Sequence, residues 1–153
     1  MKSEFIYPIL CLCEKYRNTE TQRAQRVNME NNQLTQAIIG AAIEVHKRLG
    51  TGLLESAYRA CLAYELRKRG FNVIEEKPVP VFYDGVQLEC GFRADLLVNN
   101  LIVVELKAKT AIHPVDKAQT LSHLRLLNLR VGLLINFHEE KLVDGVHRII
   151  NGY

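Results

Sequence analysis

FRADLLVNNLIVVELK, residues 92–107, is a pair of apolar segments joined at Asn99 and Asn100, with Asp95, Glu105 and Lys107 set into the apolar runs. A half-solvated surface strand would carry polar residues at every second position. Isolated charges in such runs are costly to bury unless they are paired or bound to a metal. Side chains alternate along a strand, so Glu105 and Lys107 project from one side. A hairpin turn at Asn99 and Asn100 sets Asp95 opposite Val104 or Glu105, with cross-strand neighbours roughly 5 Å apart. Two carboxylates and an ammonium thereby converge.

Outward from this hairpin, Asp84 and Gly85 make another turn, into a strand expected from Val86 to Val98, and Leu101–Lys107 forms its partner. Phe71, Val73, Val79, Val81 and Tyr83 belong to a β-branched and aromatic stretch that Pro78 and Pro80 punctuate, which suggests an edge or a break. Arg130–Asn136 reads as a strand buried on both faces, and Val146–Ile150 as a last strand after Asp144 and Gly145.

Leu34, Ile38, Ala41, Val45 and Leu49 recur at helical spacing and predict a helix over 34–49, ended by Gly50. A second helix is expected from about Leu53 to Arg69, with Thr51 a candidate N-cap and Gly70 the stop. A third follows Pro114, from Val115 to about Leu127. Helices before and after a mixed sheet indicate an α/β class and an α/β/α sandwich.

The chain has 153 residues and is 48% hydrophobic, enough for one core and too short for two ordinary domains. A net charge of +3 permits a nucleic-acid partner without demanding one. Cys11, Cys13, Cys61 and Cys90 lack paired CxxC spacing and are too sparse for a disulfide scaffold, so a reducing cytoplasm is the simplest setting. The apolar run Phe5–Cys13 is too short to span a membrane and lacks a cleavage site, so no membrane association is expected. Residues 1–32 read as a loosely ordered extension, because Glu14–Arg26 is polar and has no apolar periodicity. Met29 stands just before the first strong helical pattern, and translation starting there is the accompanying hypothesis.

Two adjacent carboxylates repel. A hard cation such as Mg²⁺ relieves the repulsion while keeping waters and accepting phosphate oxygens. Lys107 fits the orientation of an attacking water or the neutralisation of a developing oxyanion. These are the functions that phosphodiester hydrolysis needs. Carboxylate oxygens sharing one Mg²⁺ would lie within about 4.2 Å of each other. The competing reading is a structural ion-pair cluster at the end of a hairpin.

Asp95 followed by Glu105, Leu106 and Lys107 resembles the core of the PD-(D/E)XK nuclease superfamily, with Arg93 and Ala94 before the aspartate in place of its proline pattern. Gly52, Leu53, Leu54, Glu55, Ser56, Ala57 and Tyr58 spell the motif of the GxxExxY protein family. The likeness runs through IGAAIEVHKRLGTGLLESAY, GFRADLLV, IVVELKA and LLINF, from about Leu34 to Asn151. The resemblance implies a three-layer restriction-endonuclease-like fold over residues 33–153, a Mg²⁺ or Mn²⁺ ion, and DNA or RNA as substrate. It implies that Glu55 joins Asp95 and Glu105 at the metal. Gln119 fits the glutamine of the QxxxY helix motif of the RecB-like branch, while His123 stands where that motif has tyrosine.

The expected activity is a metal-dependent nuclease with Asp95, Glu105, Lys107 and Gln119 as its catalytic group. The alternative is a non-catalytic nucleic-acid-binding or regulatory module that keeps the fold; a third reading is a protein-interaction partner with a merely structural ion-pair cluster. A homodimer is compatible with each, and nothing in the sequence selects it. Glu55 has a sufficient structural reason as a first-turn helix glutamate. Tyr58 and His46 read as packing residues. Lys109 and the basic turn Arg67, Lys68, Arg69 are candidates for phosphate contact, although solvated surface charges are common.

Overall fold

The computed structural model describes the backbone of residues 7–89 and 91–152 and, within that range, the side chains from residue 19 onward. Phe5, Ile6 and Cys90, and the side chains of residues 7–18 with Cys11 and Cys13 among them, lie outside it. Cys61 is a half-buried free thiol. Among the described residues, no helix is long and apolar enough to cross a membrane.

The chain divides into two units, 1–33 and 34–153. Helix α1, Tyr7–Leu49, begins in the first. Residues 19–30 are helical and exposed, although they lack apolar periodicity. The reason is local: Gln, Arg, Glu, Ala and Met favour helix whatever the periodicity of the apolar positions, and no glycine or proline interrupts residues 9–39. Arg26 and Glu30 add an i,i+4 ion pair at 3.6 Å.

In the second unit Leu34, Ile38, Ala41 and Val45 are buried as the spacing predicts, while Leu49 is exposed. Helix α2 is Glu55–Lys68, with Leu54 rather than Thr51 at its N-cap. Helix α3 is Pro114–Leu126. Five strands form a mixed sheet in the order β1-β4-β5-β6-β7: β1 is Val73–Pro78, β4 Arg93–Val98, β5 Ile102–Lys107, β6 Val131–Asn136 and β7 Val146–Ile150. The β5–β6 pair is parallel, with α3 in the connection, and the other pairs are antiparallel. Such a parallel pair requires a crossover of this kind.

The expected single strand over 86–98 is two strands. Val81–Tyr83 (β2) and Val86–Leu88 (β3) form their own small hairpin through Asp84 and Gly85, whose φ angles of 51° and 76° suit that turn. Pro78 and Pro80 remove backbone donors where β1 would otherwise run on into β2. β1 is an edge strand, as the prolines suggested.

Two apolar layers cover the sheet. Leu96, Val98, Ile102, Val104 and Leu106 pack with α1 and α2, through Ile38, Val45, Tyr58, Leu62 and Leu66. Leu97 and Val103 pack with Leu124 of α3. β6 is buried along its whole length. An added Cβ at Gly132 would stand 3.1 Å from Thr120 and 3.3 Å from Leu124, so the missing side chain there allows α3 to lie close to the sheet.

Gly145, at the end of the 3-10 turn Leu142–Gly145, is tighter still: a Cβ would sit 2.5 Å from the carbonyl oxygen of Asn136 and 2.8 Å from Cγ of Glu139. A backbone atom cannot yield cheaply. Gly145→Ala should therefore destabilise the protein by about 1–3 kcal/mol. Denaturant unfolding checks this, and an unchanged midpoint would contradict the packing described.

Candidate functional site

The β4–β5 ladder pairs Val98 with Ile102, Leu97 with Val103 and Leu96 with Val104, and there it stops. Carried on, this register would bring Asp95 to the level of Glu105, but the pairing ends before either residue. Beyond Leu96 the strands part, and side-chain carboxylates take over the donors that β4 no longer meets. Asp95 Oδ2 accepts the Leu106 N–H at 2.8 Å, and Glu55 Oε1 accepts the Ala108 N–H at 3.3 Å. An unpaired backbone donor on a covered strand needs such a partner.

Glu105 and Lys107 share the face of β5 that α3 covers. Glu105 is only 2% exposed, yet it carries a carboxylate. Its Oε1 accepts from Gln119 Nε2 at 3.3 Å and lies 3.8 Å from Lys107 Nζ; its Oε2 is 3.1 Å from His123 Nδ1. Gln119 and His123 are four residues apart on α3, so one face of the helix delivers both donors. His123 is fully buried and so differs from the common solvated helix histidine. Phe92 packs on its ring at 4.2 Å between centroids.

Asp95 Oδ1 lies 3.5 Å from Arg59 Nη1, and Arg59 Nη2 lies 3.5 Å from Glu76 of β1. Arg59 was not singled out from the sequence. Its signal was the i,i+4 spacing from Glu55, which sets both on the side of α2 nearest the end of β5. Glu76 has a positive φ of 47° opposite the Asp95 segment, a local distortion of β1 where β4 departs from β5.

Tyr58 supports Glu55 indirectly. Its ring is buried and stacked on Phe137 at 4.3 Å, its hydroxyl donates to the Gly50 carbonyl at 2.7 Å and accepts the Leu53 N–H at 3.2 Å. The loop entering α2 is thus pinned from below. Glu55 itself borders a cleft of about 370 Å³ with Leu53, Leu54, Ser56 and Ala108.

The structure brings Asp95, Glu105, Lys107 and Gln119 to one end of β5, with Glu55 at its margin. It differs from the expectation of one open three-carboxylate cluster. Among the described residues, no three His, Cys, Asp or Glu side chains stand together as a metal site. Glu55 is held by Ala108, and Glu105 is buried beneath α3, leaving the side chains of Asp95 at 22% and Lys107 at 13% exposure. An oxygen donor set of two carboxylates nevertheless suits Mg²⁺, which takes one or two carboxylates and retains waters.

Of the other expected phosphate contacts, Arg67 pairs with Glu75 at 2.8 Å and with the Val73 carbonyl, and Arg69 pairs with Glu65. Lys109 pairs with Asp116 at 2.6 Å. His46 donates from Nε2 to the Glu139 carbonyl at 2.9 Å, an internal bond.

The sequence profile of the PD-(D/E)XK nuclease superfamily matches residues 32–149, about three quarters of the chain. The chain belongs to this superfamily. Its five-stranded mixed sheet between helices agrees with the restriction-endonuclease-like fold, and membership suggests a nuclease-like function. No curated protein and no solved structure matches the chain.

Asp116 latches the loop between β5 and α3: besides Lys109 it accepts the His113 N–H at 2.8 Å. Burial works to raise its pKa, but the hydrogen bonds from Lys109 and His113 and the charges of Lys109 and Lys107 hold it below the ordinary value of 3.8. A depressed carboxylate stabilises the fold above its unfolded pKa and loses that contribution as pH falls through the folded one. Asp116→Asn should therefore cost about 1.5–3 kcal/mol near neutrality. The gap from the parent protein should close on acidification below the ordinary aspartate range. Denaturant melts at several pH values read this, and a gap independent of pH would refute it.

Proposed function

We propose that this chain is a metal-dependent nuclease acting on DNA or RNA, and that the GxxExxY motif at Gly52–Tyr58 groups it with that family within the superfamily. The observation that carries the reading is that Asp95 accepts the N–H of Leu106, the residue between Glu105 and Lys107, so that all three charged groups are tied to the same end of β5. Asp95 and Glu105 would hold Mg²⁺ or Mn²⁺, with Glu55 assisting at the margin. A bound ion would supply a more acidic water and charge neutralisation at the phosphate.

The chain's own groups then have distinct tasks. Lys107, partly exposed and carried by the same strand face as Glu105, orients the water or neutralises the phosphate oxygens. Gln119 orients Glu105 by its amide hydrogen bond. The apolar layers on both faces of β5 fix the strand and lower the mobility of everything attached to it.

One observation favours the second reading, a non-catalytic nucleic-acid-binding module. Each carboxylate already has a protein partner, and Glu105 is covered. That reading predicts salt-dependent binding that survives EDTA, with no cleavage.

Asp95→Asn keeps an oxygen for the Leu106 N–H while removing the charge. It and Lys107→Ala should each lower Mg²⁺- or Mn²⁺-dependent cleavage by about 10²–10³-fold or more, with the melting temperature nearly unchanged. Single- and double-stranded substrates with each ion provide the assay. Cleavage retained in both variants would remove the catalytic assignment.

A further inference from the structure

Three groups approach the buried carboxylate of Glu105, and one of them, His123, is itself fully buried. An ionised carboxylate only accepts hydrogen bonds, so at this contact the imidazole proton resides on Nδ1. Nε2 has no partner among the described residues. Phe92 lies against the ring. The histidine thus makes a single side-chain hydrogen bond, to Glu105. An apolar residue would fill the same space without stranding a nitrogen, so packing alone does not account for an imidazole here.

We propose that His123 is a positioning residue for Glu105: its Nδ1–H fixes the rotamer in which the carboxylate meets a divalent cation. The inference rests on the metal-dependent reading above. Groups that hydrogen-bond a ligating carboxylate commonly set metal affinity without touching the ion, and their loss costs about 10–100-fold. Gln119 alone is a weaker guide, because its neutral amide contact to the other oxygen is longer, at 3.3 Å.

Two substitutions separate donor from ring. His123→Phe keeps an aromatic ring beside Phe92 and removes the N–H; His123→Asn removes the ring and returns an amide N–H close to the former Nδ1. Mn²⁺ binding to the full chain, measured by calorimetry and by electron paramagnetic resonance, is the readout, independent of any cleavage. The expected result is a loss of about 10–100-fold in Mn²⁺ affinity for His123→Phe, with His123→Asn retaining most of it. Wild-type affinity in His123→Phe, or equal losses in both variants, overturns the proposal while the metal reading stands. No Mn²⁺ binding by the wild-type chain overturns the metal reading, and this proposal with it. A measurement on the unaltered protein decides the matter if a variant does not fold. ¹⁵N nuclear magnetic resonance should find His123 as the Nδ1–H tautomer, with its signal moving on addition of Mg²⁺; an Nε2–H tautomer, or a signal that Mg²⁺ leaves unmoved, overturns it.

Discussion

The arrangement turns on a carboxylate that has almost no access to water. Glu105 lies in the middle layer of the sandwich, and a charge there is unfavourable by several kcal/mol unless donors surround it. Those donors come from separate places: Lys107 from the same strand, Gln119 and His123 from α3. The position of α3 is therefore tied to the chemistry of β5 as well as to apolar burial. The absent side chain at Gly132 lets that helix approach closely enough for the bonds to form.

The same strand imposes a second requirement at its edge. Where β4 leaves β5, two backbone donors lose the ladder, and Asp95 and Glu55 accept them. These carboxylates thus serve the fold whether or not they serve a reaction. Their double duty explains how a structural ion-pair cluster and a catalytic group can look alike in sequence. The substitutions that separate the two must preserve an acceptor while removing the charge, which an asparagine does and an alanine does not.

Much of this was legible in the residues. Charges set into apolar runs marked Asp95, Glu105 and Lys107, and strand alternation put the last two on one face. The Asn99 and Asn100 turn set the register that pairs Leu96 with Val104, one residue short of Asp95 and Glu105. Strand β7 was readable to the residue, because Asp144 and Gly145 precede a short β-branched run. Other features were hidden because they depend on contacts distant in the chain. Arg59 sits beside a conspicuous tyrosine, and its meaning appears only when β1 and β4 bring Glu76 and Asp95 to it. His123 reads as an ordinary helix histidine until the α3 crossover buries it. The early residues of α1 lacked apolar periodicity, and intrinsic propensity, a weaker signal, governed them.

Charge counting around the end of β5 adds an argument that the individual contacts do not. Glu55, Glu76, Asp95 and Glu105 bring four carboxylates there, against the two cations Arg59 and Lys107. Lys109 is no help, because Asp116 engages it directly. Within this bonded set the excess is two negative charges. A phosphate approaching this region unaided would be repelled. One divalent cation would cancel the excess, which is the electrostatic argument for the metal-dependent reading proposed above. A module that only bound nucleic acid would be better served by removing carboxylates than by keeping four beside two cations. Within this bonded set, the imbalance is the feature that a purely nucleic-acid-binding surface would have least use for.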